Sequence, residues 1–423
     1  MAHFHARRLA EAESAYRAAL AIVPADPMVT HNLGVTIAAQ GRHRAAVDCF
    51  EEALRGDPGF VSAHYNRAVA QLALGETQEA ITSFGRAAAL EPQHHAAHRA
   101  LGFLWLAQGE RGRALDHFAR SYELRRGDDR TTIALKSLTT ATHHKLEHDA
   151  EQFLYLSQRT RQRLRFELLA RSYRAIAEQF SNDVTALSDA QIDVLGEDYN
   201  TLIHLQAAPE TAGRAVNERA DLAALTAQFE EQGAVAVDDL LTLPALASLR
   251  RFLLESTIWH DFSHIDGFVA SYLEDGLACP LLLQIADELR RAFPRILGEH
   301  ALSQAWAFKG LQAQSAVDVH ADDAAVSVNF WVTPSEANLE PGSGGLVVSL
   351  APPPDDWEIK DYDADQGRIV TFLEKNAGNR LVVPYSQNRA VMFRSRLFHY
   401  SDRPKFASGY ENHRINLTLL YGR

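Results

Sequence analysis

The sequence predicts a multidomain α+β chain, with an all-α helical solenoid at its start and a β-rich domain at its end. Two observations carry this prediction: a 34-residue period in the first third, and a change after Gly233 to short apolar runs separated by Gly, Pro and Asn. Between these two parts the sequence keeps a helical periodicity without the repeat. We therefore expect repeats at 1–126, a helical connector at 127–220 and the β-rich domain at 221–423.

The composition excludes several classes of function. Of the 423 residues, 46% are apolar and 23% are charged, as in ordinary soluble globular proteins. The net charge of −12 disfavours nucleic acid as a partner, because nucleic-acid binding usually needs a basic surface. No apolar run reaches the roughly 18 residues of a membrane span, and the N-terminal segment does not match a secretory signal. Cys49 and Cys279 lie far apart and form no disulfide framework, so we expect a cytoplasmic protein without a membrane partner.

The first third of the chain repeats small, aromatic and turn-forming residues at fixed positions. The repeated sets are Gly34, Ala68 and Gly102; Gly41, Gly75 and Gly109; Ala46, Ala80 and Ala114; Phe50, Phe84 and Phe118; and Pro24, Pro58 and Pro92. Small residues let two helices approach closely, and the aromatic residue fills the groove between neighbouring pairs. Gly makes the turn, and Pro ends the second helix. Each repeat is therefore predicted to be a pair of antiparallel helices.

This pattern resembles the tetratricopeptide repeat family. Solenoids of this kind mostly present a concave surface to a peptide or protein, so the resemblance implies such a partner. The first unit is incomplete, because residues 1–24 match only its second helix. The period is lost after Arg126, where the fourth Pro is expected.

The last 200 residues contain many short strand-like runs, which suggest a sandwich or barrel. These runs are 304–312, 317–332, 345–350, 367–374, 380–384, 389–394, 397–402 and 414–421. In one of them, His320 and Asp322 are two residues apart, so alternation along a strand places both side chains on one face and Asp323 on the other. An imidazole and a carboxylate on one face can bind the same metal ion.

A third metal ligand is expected from a distant part of the sequence, and His399 is the strongest candidate. Two His and one carboxylate form the facial triad of non-haem Fe(II) oxygenases, which leaves coordination positions open. Those positions normally take a 2-oxo acid and O₂. The far carboxylate of such an acid needs a cation, and Arg414 opens the terminal strand with Asn416 on the same face.

The segments H-A-D, G-S-G-G-L-V-V, L-F-H-Y-S-D and R-I-N-L-T-L-L-Y together resemble the Fe(II)/2-oxoglutarate-dependent dioxygenase superfamily, especially its prolyl-hydroxylase-like branch. The resemblance covers roughly 222–423 and implies a double-stranded β-helix, a jelly-roll or cupin-like barrel. It implies that the iron ligands are His320, Asp322 and His399. It also implies that Arg414 pairs with the 2-oxoglutarate carboxylate and that Asn416 touches this cosubstrate.

Two further residues, Asn329 and Trp331, are expected to share the face of His320 and to line the pocket. A second His-x-Asp triplet, His264 to Asp266, is the alternative metal site, but it lacks a long strand around it. The leading prediction is a hydroxylase of a protein or peptide substrate that the repeats recruit. The alternatives are an oxygenase of a free amino acid or small metabolite, with repeats for oligomerisation, and an inactive repeat scaffold.

Overall fold

The computed structural model describes residues 8–127, 136–263, 267–310, 319–354, 357, 366–402 and 404–422. The chain forms two compact units, Met1–Arg125 and Arg126–Arg423. No helix among the described residues is long and apolar enough to cross a membrane.

The first unit is all-α, as the 34-residue period predicts. Its described helices number seven: α1 (Leu9–Ile22), α2 (Pro27–Ala39), α3 (His43–Gly56), α4 (Val61–Ala73), α5 (Thr77–Leu90), α6 (His95–Ala107) and α7 (Arg111–Arg126). Successive helices from α1 to α6 pack against each other, which confirms the helical pairs. Among the described residues, α1 corresponds to the second helix that the period predicts for the first unit.

The repeated small residues have a direct steric role in this packing. A Cβ atom added to Gly34 would lie 2.7 Å from the ring of Phe50, and one added to Gly102 would lie 2.6 Å from the ring of Phe118. Because real Cβ contacts are longer than this, only glycine lets each pair of helices approach so closely. The turn glycines adopt φ near +78°, as at Gly41, where other residues are strained.

The described α-helices of the second unit lie between its strands in chain order. These are α8 (His143–Ser157), α9 (Arg163–Ala177), α10 (Asp189–Leu195), α11 (Leu222–Gln232), α12 (Leu243–Glu255), α13 (Pro280–Ala292), α14 (Pro294–Leu297) and α15 (Gln366–Lys375). Helices α8 and α9 share a core that includes Phe153, Phe166 and Tyr173. Helix α8 also packs against α12, where the Gln152 side chain donates to the Ser256 carbonyl at 2.8 Å. The division at residue 220 stays a prediction.

The strands of the second unit form an antiparallel sheet of six and another of three. The strands are β1 (Thr140–Ala141), β2 (Thr185–Ala186), β3 (Ala234–Val237), β4 (Phe268–Tyr272), β5 (Leu302–Gly310), β6 (Val326–Trp331), β7 (Leu346–Ser349), β8 (Arg380–Val383), β9 (Ala390–Arg394), β10 (His399–Ser401) and β11 (Arg414–Tyr421). The order is β3-β9-β6-β11-β5-β4 in the larger sheet and β10-β7-β8 in the smaller one. Strands β1 and β2 pair separately.

The larger and smaller sheets share one apolar core. Trp331 and Val391 of the larger sheet pack in the same cluster as Leu346, Val348 and Val383 of the smaller one. The β-rich character predicted for this region is therefore confirmed. The described strands form open sheets without a closed barrel, and the double-stranded β-helix stays a prediction.

Two of the predicted strands differ from the structure. The run 317–332 is not one strand, because the chain bends at 323–325 and only Val326–Trp331 joins the larger sheet. The run 367–374 is a helix, α15. Its Ile and Val favour a strand, but Ile369 and Phe372 recur at helical spacing and pack near Phe398, so tertiary packing overrides local preference.

Candidate metal centre

His320 and His399 are held side by side by their own backbones. The His320 N–H donates to the His399 carbonyl at 3.1 Å, and the His399 N–H donates back to the His320 carbonyl at 2.9 Å. This reciprocal antiparallel pair fixes the two Cα atoms opposite each other. As a result, the imidazole rings lie with their centroids 4.3 Å apart.

The carboxylate of Asp322 lies close to the Nε2 atoms of both imidazoles. Its Oδ1 is 3.8 Å from His320 Nε2, and its Oδ2 is 3.6 Å from His399 Nε2. One ligand atom from each of the three side chains lies within 4.8 Å of the others. Asp323 is exposed, as alternation predicts. The structure therefore brings together the three residues that the sequence predicts as metal ligands.

Burial prepares His399 to act as a neutral ligand. Its Nδ1 donates to the Leu397 carbonyl at 3.0 Å, which leaves the lone pair on Nε2 free to bind a metal ion. Desolvation, helped by the neighbouring His320, lowers the pKa of His399 to about 4, so the ring is neutral at physiological pH. The His320 side chain is 40% exposed and forms the open side of the cluster.

Side chains of both sheets complete a cavity of about 30 Å³ around the cluster. Besides the three ligands, it is lined by Trp306, Phe308, Asn329, Leu346, Ser401, Asn416 and Thr418. Asn329 donates from Nδ2 to Thr418 Oγ1 at 2.9 Å across the pair β6–β11. Asn329 and Asn416 therefore line the cavity as predicted.

The route by which Asn329 reaches the cavity differs from the prediction. Asn329 lies an odd number of positions along the chain from His320, so an unbroken strand would place the two side chains on opposite faces. The bend at 323–325 changes the direction of the chain and brings both to the cavity. Trp331 does not line this cavity; it is fully buried in the core between the sheets.

Arg414 lies beside the cavity as a buried cation. It is 3% exposed, its Nε donates to the Gly344 carbonyl at 2.8 Å, and its Nη1 donates to Asn416 Oδ1 at 3.1 Å. Burial lowers the pKa of Arg414 to about 10, which still leaves the guanidinium charged at neutral pH. Within the described residues, no carboxylate forms an ion pair with it. A buried guanidinium in this state fits an anionic ligand.

Several residues at the site are missing from the sequence-based prediction. Trp306 and Phe308 are in register with Thr418 and Asn416 across β5–β11, so alternation along β11 could have found them once the strand pairing was known. Ser395 has no such signal, because it lies beyond the end of β9. The alternative triplet, His264 to Asp266, lies outside the described residues.

Comparison with known proteins identifies the repeats of the first unit. The tetratricopeptide repeat family model matches residues 33–89 and 70–129. No curated protein matches the chain. The repeats predicted from the period are therefore tetratricopeptide repeats.

Three of the similar solved structures show low identity to this chain. A crystal structure of MamA is 19% identical, covers 42% of this chain and 91% of its own, and has a TM-score of 0.28. MamA 41-end from Desulfovibrio magneticus RS-1 is 21% identical over 30% and 72%, with a TM-score of 0.29. The first TPR of Spaghetti (RPAP3), bound to an HSP90 peptide, is 23% identical over 25% and 82%, with a TM-score of 0.23.

Proposed function

We propose that this chain is an Fe(II)- and 2-oxoglutarate-dependent dioxygenase that hydroxylates a protein or peptide substrate. The observation that carries the proposal is the convergence on one point of His320 and Asp322, two residues apart, and the distant His399. Two imidazoles and one carboxylate with open positions are the donor set that suits non-haem ferrous iron. Four thiolates, or oxygen ligands alone, would suit other metals.

The surroundings of the triad support the same reaction. The site lies beside the core between two antiparallel sheets, which fits a double-stranded β-helix. Arg414 supplies a buried guanidinium for the far carboxylate of 2-oxoglutarate, and Asn416 orients that guanidinium through its Oδ1. Ferrous iron held by the triad supplies O₂ activation when it is bound, with 2-oxoglutarate as the co-reductant.

The side chains around the site have distinct parts in the proposed reaction. The overall change is that 2-oxoglutarate, O₂ and a C–H bond give succinate, CO₂ and a C–OH group. Trp306 and Phe308 provide an apolar wall that limits water near the reacting C–H bond. Asn329 and Thr418, joined by their hydrogen bond, offer polar atoms that orient a substrate on the same side.

The tetratricopeptide repeats support a protein or peptide as the substrate. Such repeats usually present a binding surface to a peptide, so a repeat unit in the same chain would recruit the substrate. A free amino acid would not need this unit for recruitment. Substitutions on the concave face of the repeats would therefore reduce turnover of the true substrate, and unchanged turnover would contradict peptide delivery.

A succinate-release assay tests the proposed activity. The purified chain is incubated with Fe(II), 2-oxoglutarate and O₂, with and without candidate peptides, beside the variants His399→Ala and Asp323→Ala. We expect succinate from the wild type and from Asp323→Ala, because Asp323 is an exposed neighbour outside the cluster. His399→Ala should release none above background. Equal release by His399→Ala and the wild type would contradict the proposal.

A further inference from the structure

We propose that Ser327 and Ser395 form an ordered two-hydroxyl relay that fixes the carboxylate of Asp322 in its metal-binding orientation. This inference deepens the proposed function and rests on it, since it assigns positioning residues to the same metal centre. Neither serine touches an imidazole of the triad in the described contacts. Both act through Asp322.

The relay is a short chain of hydrogen bonds in a dry part of the fold. Ser327 Oγ lies 2.6 Å from Asp322 Oδ2, and Ser395 Oγ lies 2.8 Å from Ser327 Oγ. Both serines are 0% exposed, and Asp322 is 7% exposed. The shorter distance is typical of a hydroxyl that donates to a charged carboxylate.

The chemistry of the three groups determines which is the donor and which the acceptor in each hydrogen bond. An ionised carboxylate only accepts hydrogen bonds, so the Ser327 hydroxyl must be the donor of the hydrogen bond to Asp322. The oxygen of Ser327 is then free to accept, and Ser395 is the hydroxyl within reach. Each donor polarises the next, so the Ser327 bond is stronger with Ser395 in place than without it.

The backbone of Ser395 also contacts the backbone of Asp322. The Asp322 N–H donates to the Ser395 carbonyl at 2.9 Å, and the Ser395 N–H donates to the Ala325 carbonyl at 3.1 Å. Asp322 lies outside the described strands, next to the bend at 323–325, so sheet pairing does not fix it. Ser395, at the end of β9, therefore holds the backbone of Asp322 directly. It holds the Asp322 carboxylate indirectly, through Ser327.

Without the relay, one oxygen of Asp322 would be buried with no donor, and its carboxylate would be free to rotate away from the His pair. Partners that orient a metal ligand typically change metal affinity by about 10- to 100-fold. We therefore expect Ser327→Ala to weaken metal binding by about tenfold. Ser395→Ala keeps the Ser327 donor and should weaken metal binding by only about twofold to threefold.

Binding of Co(II), a redox-stable probe, tests the relay without relying on turnover. The full chain and its variants are titrated with Co(II) by calorimetry, and the visible Co(II) absorption reports the ligand geometry. Ser349→Ala is the matched control, since Ser349 is also buried but its hydroxyl has no hydrogen-bond partner among the described residues. Thermal unfolding of each variant in the absence of metal shows that it is folded.

The relay predicts an order of effects as well as a size. Of the two single-serine variants, Ser327→Ala should bind Co(II) more weakly. The double variant should have the same Co(II) affinity as Ser327→Ala, because Ser395 acts on the carboxylate only through Ser327. Ser349→Ala should bind as the wild type does. Wild-type affinity in Ser327→Ala, or additive losses in the double variant, would overturn the relay.

The same titration separates the relay from the proposed activity. Tight Co(II) binding that weakens in the expected order, without succinate release by the iron-loaded wild type, would support the relay and contradict the oxygenase. Wild-type protein that binds no Co(II) would overturn both.

Discussion

The two faces of the six-stranded sheet differ in what they bury. The face toward the three-stranded sheet carries hydroxyl and amide side chains, including Asn329, Asn416 and Thr418, around the cavity of the triad. The opposite face contacts helices and is mostly apolar, but it contains Lys309, which is 0% exposed. Lys309 lies one residue after Phe308, which lines the cavity, so alternation alone separates the two environments.

The ammonium of Lys309 is held by aromatic rings. Its Nζ lies 3.2 Å from the ring centroid of Tyr410 and 5.5 Å from that of Trp259. Among the described residues, no group forms a hydrogen bond with it. Burial lowers the pKa of Lys309 well below its ordinary value of 10.5, although Glu151 and Asp149 act in the opposite direction.

The buried polar groups on the two faces differ in whether they converge on one point. On the cavity side, donors and acceptors converge on one point, and the ligand Asp322 is itself hydrogen-bonded. On the helical side, Lys309 contacts aromatic rings but has no hydrogen-bond partner among the described residues, while Asp149 pairs with Lys145 at 2.6 Å. Convergence with supporting contacts indicates a binding site, whereas a buried amine without a hydrogen bond costs stability.

The largest effect is expected just before β7, where the backbone lies closest to the end of its neighbour β8 in the smaller sheet. A Cβ added to Gly345 would lie 1.9 Å from the Val383 carbonyl oxygen and 2.7 Å from the Tyr385 nitrogen. Because both atoms are backbone, Gly345→Ala should destabilise the second unit by more than about 3 kcal/mol in urea unfolding. It would uncover the cavity side of the larger sheet.

Gly342→Ala is the matched control in the same loop, since nothing lies within 4 Å of its added Cβ. It should change the free energy of unfolding by less than about 0.5 kcal/mol. Equal stability of the two variants would contradict the close approach of the strands.

The next effect concerns the buried cation on the cavity side. Arg414→Lys keeps the charge but loses the planar fork that matches a carboxylate, so 2-oxoglutarate should bind at least about tenfold more weakly. Anaerobic calorimetry of the metal-loaded protein measures this. Arg394→Lys, at an exposed position on β9, is the control and should bind as the wild type does. Unchanged affinity in Arg414→Lys would remove Arg414 from the site.

The smallest effect is expected on the helical side of the sheet. Lys309→Met should raise the free energy of unfolding by about 1 kcal/mol at pH 7, because a thioether fills the aromatic site without burying an amine. The unfolded state binds a proton at Lys309 more readily than the folded state does, so the cost of Lys309 grows as pH falls below about 10. The advantage of the variant should therefore be larger at pH 7 than at pH 10.

Urea unfolding at the two pH values measures the advantage of Lys309→Met. Lys405→Met is the control, since the Lys405 side chain is 62% exposed and pairs with Glu340 on the surface. A Lys309→Met protein less stable than the wild type would show that the amine has a favourable role on this face.

The sequence predicts the first unit well because its signals are local. A fixed period, turn glycines and small residues such as Gly34 determine contacts between neighbouring helices. The second unit depends on pairing between distant strands, which the sequence does not state. Its prediction is wrong where packing overrides local preference, as in α15, and where a bend interrupts alternation after Asp322.

The candidate site was predictable to the extent that it follows from residue types and short spacings. His320 and Asp322 are neighbours in sequence, and His399 and Arg414 belong to recognisable segments. Ser395 was not predictable, because its role depends on where β9 ends relative to Asp322.

Anaerobic addition of Fe(II) and 2-oxoglutarate to the purified chain tests the central claim most directly. If the triad binds iron and the cosubstrate chelates it, a visible charge-transfer absorption band should appear with one iron per chain. The band should be absent from Asp322→Ala and present in Asp323→Ala. A wild-type protein that gives no band, or an Asp322→Ala protein that gives the same band, would contradict the metal centre proposed for His320, Asp322 and His399.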